Sequence, residues 1–269
     1  MAGGVVDFLI KEDLGADLCK TLEMWEKEYK KQRKDLGLSF DKNPYLASGL
    51  NHVKKFFNGK GRFLEAGCGC AKISALLAKD GADVYGIDIS LQAVQNAHAI
   101  FEKEGIRGLF VRGDMLNMPF KDGVFDFIYA GGAIEHFEDT RKCAVEFYRV
   151  TKEGWSVNAT VPNISLSTPY LLLTGNMPEL PIIREVLRLV NFKLLKGKHL
   201  IFGFEKSFFW FQLIRLFKNA GFDSITTGPL ISFWEIKFIR NQILKNAFRY
   251  VTKLRPFWPM IYVNAKKER

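Results

Sequence analysis

A chain of 269 residues that is 48% hydrophobic is long enough for one substantial core and an appended subdomain. No apolar run approaches the roughly 20 residues of a membrane-spanning helix, Asp7, Glu12 and Asp13 stand where a signal peptide would be basic and then apolar, and Cys19, Cys68, Cys70 and Cys143 show no disulfide framework, so a cytoplasmic protein is expected. The net charge of +10 belongs to the C-terminal third, where 17 Lys and Arg face 5 Asp and Glu from Pro181 onward, which leaves an anionic substrate, a lipid headgroup and a nucleic acid open as partners.

From Asp7 to about Leu36 the pattern predicts a charged helix with Leu18, Leu22, Trp25 and Tyr29 on one face. A second helix is predicted over Tyr45 to Phe57. The preceding Asn43-Pro44 reads as its start, although with Tyr45 it echoes a motif of amino-methylating nucleic-acid enzymes, which follows a fourth strand rather than preceding the first. Arg62 to Ala71 (RFLEAGCGCA) then takes a short apolar strand through Glu65 into Gly67 and Gly69. Glycines there reach backbone conformations closed to other residues and leave backbone N–H groups open to a ligand.

A helix follows over Ile73 to Lys79, ended by Gly81, then a strand from Asp83 to Ile89 that carries Asp88 near its end. Ser90 caps the next helix, which runs to Glu104 and is closed by Gly105. Strands are predicted at Gly108 to Arg112, Val124 to Tyr129 and Trp155 to Val161, with a helix from Asp139 to Val150 between the last two. Such alternation implies a parallel sheet covered on both faces. In an open parallel sheet ligands bind beyond the C-terminal strand ends, so Glu65 with its glycines, Asp88, Asp114 with Met115, and Gly131 to His136 form one set by topology.

The glycine pattern excludes two common ligands. Lys72 occupies the place of a third glycine, so the dinucleotide fingerprint is incomplete, and no Gly-Lys-Ser/Thr phosphate loop is present. The Cys-x-Cys inside the turn has no second pair to complete a zinc site, and no metal is expected.

The series LEAGCGCA, GIDIS, GDMLNMPFKDGVFDFIY, AIEHF and RVTKEGWSVNATVPN, covering Gly61 to Asn163, resembles motifs one to five of the class I S-adenosylmethionine-dependent methyltransferases in order and spacing. The resemblance implies a Rossmann-like α/β fold: a seven-stranded sheet, mostly parallel with its last strand antiparallel, flanked by helices. It also implies S-adenosylmethionine as cofactor. Gly67 and Gly69 would admit the methionine part, Glu65 would help hold that end, Asp88 would accept from the ribose hydroxyls with Ile89 against the adenine, and Asp114 and Met115 would meet the adenine edge, with Gly131 at the next strand end. The family's Pro-Gly-Gly turn before the fifth strand is replaced by Glu153-Gly154-Trp155.

The expected organisation is N-terminal helices over the cofactor site (1–60), the cofactor-binding core (61–162), a helical and aromatic insertion after the fifth strand acting as an acceptor lid (163–206), and the rest of the core (207–269) with an inserted basic helix (235–254). Within these, an amphipathic helix is predicted over Ile182 to Leu195, another helix over Ser207 to Asn219, and strands at Phe222 to Thr227 and Met260 to Lys266. His136 is placed as a general base because an imidazole titrates near neutrality, with Glu135 as its orienter or substitute. The favoured activity is methyl transfer to an oxygen or nitrogen of a small-molecule or lipid-like acceptor, with peripheral membrane contact through the basic aromatic C-terminal third. An RNA methyltransferase and a non-catalytic binding protein are the alternatives.

Overall fold

The computed structural model describes residues 5–9, 16–39, 44–165, 176–178, 186, 189, 205–230, 241–251, 254, 258 and 260–268. Its strands are β1 (Val6–Asp7), β2 (Arg62–Ala66), β3 (Asp83–Asp88), β4 (Leu109–Arg112), β5 (Phe125–Gly131), β6 (Thr151–Pro162), β7 (Asn176–Pro178), β8 (Glu205–Ser207), β9 (Ser224–Pro229) and β10 (Met260–Lys266). The helices are α1 (Ala16–Gln32), α2 (Pro44–Val53), α3 (Lys72–Lys79), α4 (Leu91–Glu104), α5 (Thr140–Val150), α6 (Trp210–Asn219) and α7 (Gln242–Val251), with a 3-10 turn at Ile134–His136.

Eight strands form the main sheet in the order β1-β4-β3-β2-β5-β6-β10-β9. The pairs among the first six are parallel, and β10 lies antiparallel between β6 and β9. The mostly parallel α/β sheet with an antiparallel last strand is therefore present, with one strand more than the seven expected. The extra strand is β1, which replaces the start of the predicted helix at Asp7. It pairs with β4, where Asp7 Oδ2 lies 2.9 Å from Arg112 Nη1, and Arg112 Nε donates to the Ile89 carbonyl. Two paired residues are too few to leave a periodic signal.

Side-chain alternation along β2 explains the layering. Phe63 joins one apolar layer with Phe127, Phe110 and the inner faces of α3 and α4, and Leu64 joins the opposite layer with Ile128, Val157 and Phe147 of α5 and Phe217 of α6. The helix ends obey local chemistry. Ser90 Oγ accepts the Ala93 N–H at 3.1 Å, Asp139 caps α5, and Gly105 closes α4 in the left-handed region.

Several boundaries differ from expectation. Glu153-Gly154-Trp155 is not a turn before the strand. It lies inside the continuous β6, where the β5 register shifts and Gly154 N–H reaches the Lys267 carbonyl at 2.8 Å, so the glycine serves a bulge. The helix expected from Ser207 begins at Trp210, because Ser207 ends the strand β8, which pairs in parallel with β7. The strand expected at Phe222 begins at Ser224, leaving Phe222 to pack beneath Phe217 and Tyr148. The basic helix is described over Gln242–Val251 only. The helix expected over Ile182 to Leu195 lies outside the described residues except for 186 and 189, as does most of the insertion read as a lid.

Candidate active site

The chain turns sharply after β2. Gly67 and Gly69 adopt φ of 72° and 51°, and the Gly67 and Cys68 N–H groups both donate to the Ile87 carbonyl at the end of β3. Close approach reinforces the need for glycine. A Cβ on Gly67 would come within 2.6 Å of the Ala133 Cβ, and one on Gly69 within 2.9 Å of the Tyr29 hydroxyl. Ala71, at φ 52°, completes the turn into α3 without a glycine.

Two carboxylates organise this turn. Asp88 Oδ2 accepts the Gly69 N–H and Oδ1 accepts the Ser90 N–H, each at 2.8 Å. Glu65 Oε2 accepts both the Ser74 N–H and hydroxyl, which fixes it against the first turn of α3. Burial pushes the Asp88 carboxyl up to about 6 and the Glu65 carboxyl up to about 7, and their hydrogen bonds offset part of that rise.

Two adjoining cavities open beyond these strand ends. The larger, about 590 Å³, is walled by Glu65, Gly67, Gly69, Tyr129, Gly131 and Thr160 together with Leu230 and Met260 from the two sides of the β9–β10 connection. The smaller, about 170 Å³, is walled by Asp88, Ile89, Gly113, Met115, His136 and Phe137. Trp25, Tyr29, Gly67, Gly131 and Gly132 border both, which makes them two compartments of one cleft.

Glu65, Gly67, Gly69, Asp88, Ile89, Met115, Gly131 and His136 are thus brought to one cleft, as strand-end topology anticipates. Two of the candidate residues are placed differently. Asp114 lines neither cavity, and its Oδ1 accepts the Leu116 N–H at 2.9 Å, so its carboxylate serves the loop while its neighbours Gly113 and Met115 reach the wall. Glu135, the middle residue of the 3-10 turn, is 2% exposed and lies outside both walls. Its Oε2 finds no hydrogen-bond partner among the described residues, and burial first, then the charge of Glu205, push its carboxyl well up. His136 sits in the smaller compartment with its ring edge-on to Trp25 at 5.6 Å, on the side of Ile89 and Met115 rather than of Tyr129 and Thr160.

Other residues of the cleft escaped the sequence analysis. Trp25 and Tyr29 stack on each other at 5.5 Å and roof the glycine turn, and Asn96 Nδ2 holds the Tyr29 carbonyl at 2.8 Å. Glu26 accepts the Leu91 and Gln92 N–H groups, so an acid from α1 caps α4 and anchors the roof. The N-terminal helices are expected over the cofactor site with Trp25 and Tyr29 on one face, but the pattern does not say that these two residues are the ones that meet the glycine turn. Tyr129, buried in β5, and Thr160 of β6 read only as strand residues; in the fold the Tyr129 hydroxyl bonds Thr160, whose Oγ1 receives the Gly132 N–H at 3.2 Å.

Residues 64–156 match the model of a family described as a methyltransferase domain. The chain is 36% identical over 94 residues to norajmaline N-methyltransferase of Rauvolfia serpentina, a match spanning 34% of this chain and 32% of that protein. It is 33% identical over 138 residues to sterol 24-C-methyltransferase ERG6B of Gibberella zeae, spanning 48% of this chain and 35% of the other. The chain therefore spans about a third of the length of these curated relatives. Among solved structures, a SAM-dependent methyltransferase of Thermotoga maritima superposes with a TM-score of 0.54 at 17% identity, covering 91% of this chain and 99% of that one. Phosphoethanolamine N-methyltransferase 2 of Haemonchus contortus, in complex with S-adenosyl-L-methionine, superposes with a TM-score of 0.52 at 20% identity, covering 77% and 49%. At such identities the superpositions establish a shared fold.

Proposed function

We propose that this chain, which carries a methyltransferase domain of the Rossmann-like class I fold, transfers a methyl group from S-adenosylmethionine to an oxygen or nitrogen of a small-molecule or lipid-like acceptor. The observation that carries the reading is the cleft itself. A turn too tight for any Cβ at Gly67 and Gly69 leaves backbone exposed beside two buried carboxylates, at the place where this fold collects its ligands.

The residues present fit the cofactor. Gly67 and Gly69 leave room for the methionine part in the larger compartment, where ionised Glu65 adds negative charge toward a sulfonium cation. In the smaller one Asp88 retains acceptor capacity beyond its two backbone bonds, which suits a pair of ribose hydroxyls, and Ile89 and Met115 offer apolar faces to a flat ring. The bound cofactor supplies an electrophilic methyl group on sulfur. The protein's share is positioning and water exclusion, which alone can contribute several kcal/mol. Trp25 and Tyr29 do the second by roofing the cleft.

The acceptor would enter the remaining space of the larger compartment, past Leu230 and Met260. Its proton would leave to His136 if the acceptor reaches across the shared border at Gly131 and Gly132. Glu135, buried outside both walls, takes no part in this route.

Calorimetric titration with S-adenosylmethionine and S-adenosylhomocysteine tests the cofactor half, and transfer of a labelled methyl group to phenols, amines and lipids tests the rest. Micromolar binding followed by labelled product establishes the reading. Absence of binding to the intact chain would refute it and favour a protein that keeps the fold as a binding scaffold.

A further inference from the structure

The connection between β9 and β10 leaves and re-enters the fold at the wall of the larger compartment. Leu230 and Met260 both line that wall, and the Leu230 N–H donates to the Met260 carbonyl at 3.0 Å, closing the base of the connection. The end that enters β10 is held two residues further back as well. Trp258 is 9% exposed within the core, and its carbonyl receives the Asn163 side-chain amide at 2.7 Å.

The connection contains α7, which presents apolar side chains to solvent. Ile243 is 79% exposed and Tyr250 76%; with the exposed Ala247 they share one helical face, and Leu244 beside them is 59% exposed. Leu254, just beyond the helix, is 58% exposed. A soluble helix normally buries such a face. Residues 231–259 also carry Lys237, Arg240, Lys245, Arg249, Lys253 and Arg255 against the single acid Glu235, and they include Phe233, Trp234 and Phe257. Exposed aliphatic and aromatic residues joined to a positive excess are the composition that lies in the interface of an anionic bilayer, apolar face down and basic groups at the headgroups. No described helix is long and apolar enough to cross a membrane, so the contact is with the surface.

We infer that α7 rests its exposed apolar face on an anionic lipid surface, and that the methyl acceptor is an amphiphile drawn from that membrane into the compartment at whose wall the connection carrying α7 begins and ends. The second half of this statement rests on the methyltransferase reading above; the first does not. A nucleic acid would satisfy the positive charge but would leave Ile243, Leu244 and Tyr250 in water.

The test uses the full chain and vesicles of phosphatidylcholine alone or mixed with phosphatidylglycerol, with partition measured by co-sedimentation at low and high salt. Each preparation is also titrated with S-adenosylmethionine. The expected result is partition into the anionic vesicles only, weakened by salt, and reduced about tenfold by Ile243→Asp and by Tyr250→Ser, each removing one interfacial anchor. Both sites are solvent-exposed, so cofactor affinity should be unchanged in the variants, which controls for folding. Equal partition of wild type and Ile243→Asp, or no partition at all, would overturn the inference. So would displacement of the vesicles by an RNA oligonucleotide whose own binding ignores Ile243→Asp. Cofactor binding without vesicle binding removes the membrane inference alone, and vesicle binding without cofactor binding removes the methyltransferase reading and, with it, the amphiphilic acceptor.

Discussion

Asp88 Oδ2 accepts the backbone N–H of Gly69 at 2.8 Å, so the acid at the end of β3 grips the turn that follows β2. One carboxylate thereby shapes the glycine turn and faces the smaller compartment. Asp88→Ala should lower the affinity for S-adenosylmethionine and S-adenosylhomocysteine alike by roughly a hundredfold, since hydrogen bonds to a charged acceptor contribute about 1.5–3 kcal/mol each and the ribose is common to both. Asp88→Asn, with one acceptor oxygen left, should lose about tenfold. Calorimetry on the two variants decides; an unchanged affinity in Asp88→Ala would remove Asp88 from the cofactor site.

The Tyr29 hydroxyl occupies the space a side chain on Gly69 would need. Gly69→Ala should destabilise the fold by about 1–3 kcal/mol through overpacking. Left-handed strain is the lesser part, because Ala71 already tolerates nearly the same φ. Tyr29→Phe removes the atom in conflict, so the double variant should recover part of the loss. A double-mutant cycle by denaturant unfolding measures the coupling, and strictly additive effects would refute the contact.

Glu65 and Asp88 give the stability of the empty protein an unusual pH dependence. Both carboxyls are raised on folding, so between the ordinary and the raised value the native state holds more protons than the unfolded chain, and stability falls as pH rises through that window. The window runs from 4.5 to about 7 for Glu65 and from 3.8 to about 6 for Asp88. Cofactor binding should run the opposite way, weakening as pH drops below about 7 and then about 6, because the cofactor needs ionised acceptors. Thermal unfolding and calorimetry at about pH 5 and about pH 8 check both trends. Bound S-adenosylmethionine should therefore raise the melting temperature more at the higher pH.

His136 lines the compartment beside Ile89 and Met115, with Trp25 at its edge. His136→Ala should leave cofactor affinity within about threefold, a fraction of a kcal/mol. If the imidazole takes the acceptor's proton, turnover should fall by about a hundredfold or more and the acid limb of the pH–rate profile should disappear. Intact turnover with an unaltered profile would assign His136 to packing against Trp25.

Most of the sheet is legible from local pattern. Short apolar runs punctuated by glycine fall at β2 to β6, and a strand end is recognisable wherever an apolar run breaks into a glycine or an acid, as at Gly67, Asp88 and Gly131. The two-residue β1 is not legible, because its evidence is the pairing of Asp7 with Arg112. Nor is the bulge at Gly154, since a glycine in a strand and a glycine in a turn look alike until the neighbouring register is known.

The cleft divides in the same way. Strand alternation, through period-two and period-3.6 burial and the parallel topology it forces, determines by sequence alone that Glu65, Gly67, Gly69, Asp88, Met115 and Gly131 converge. Only the tertiary structure decided that Trp25 and Tyr29 roof them, that Tyr129 and Thr160 complete the wall, and that Glu135 is buried away from it while Asp114 turns to its own loop. Those outcomes depend on which distant segments meet. A helix face records that it is buried, and only packing records against what.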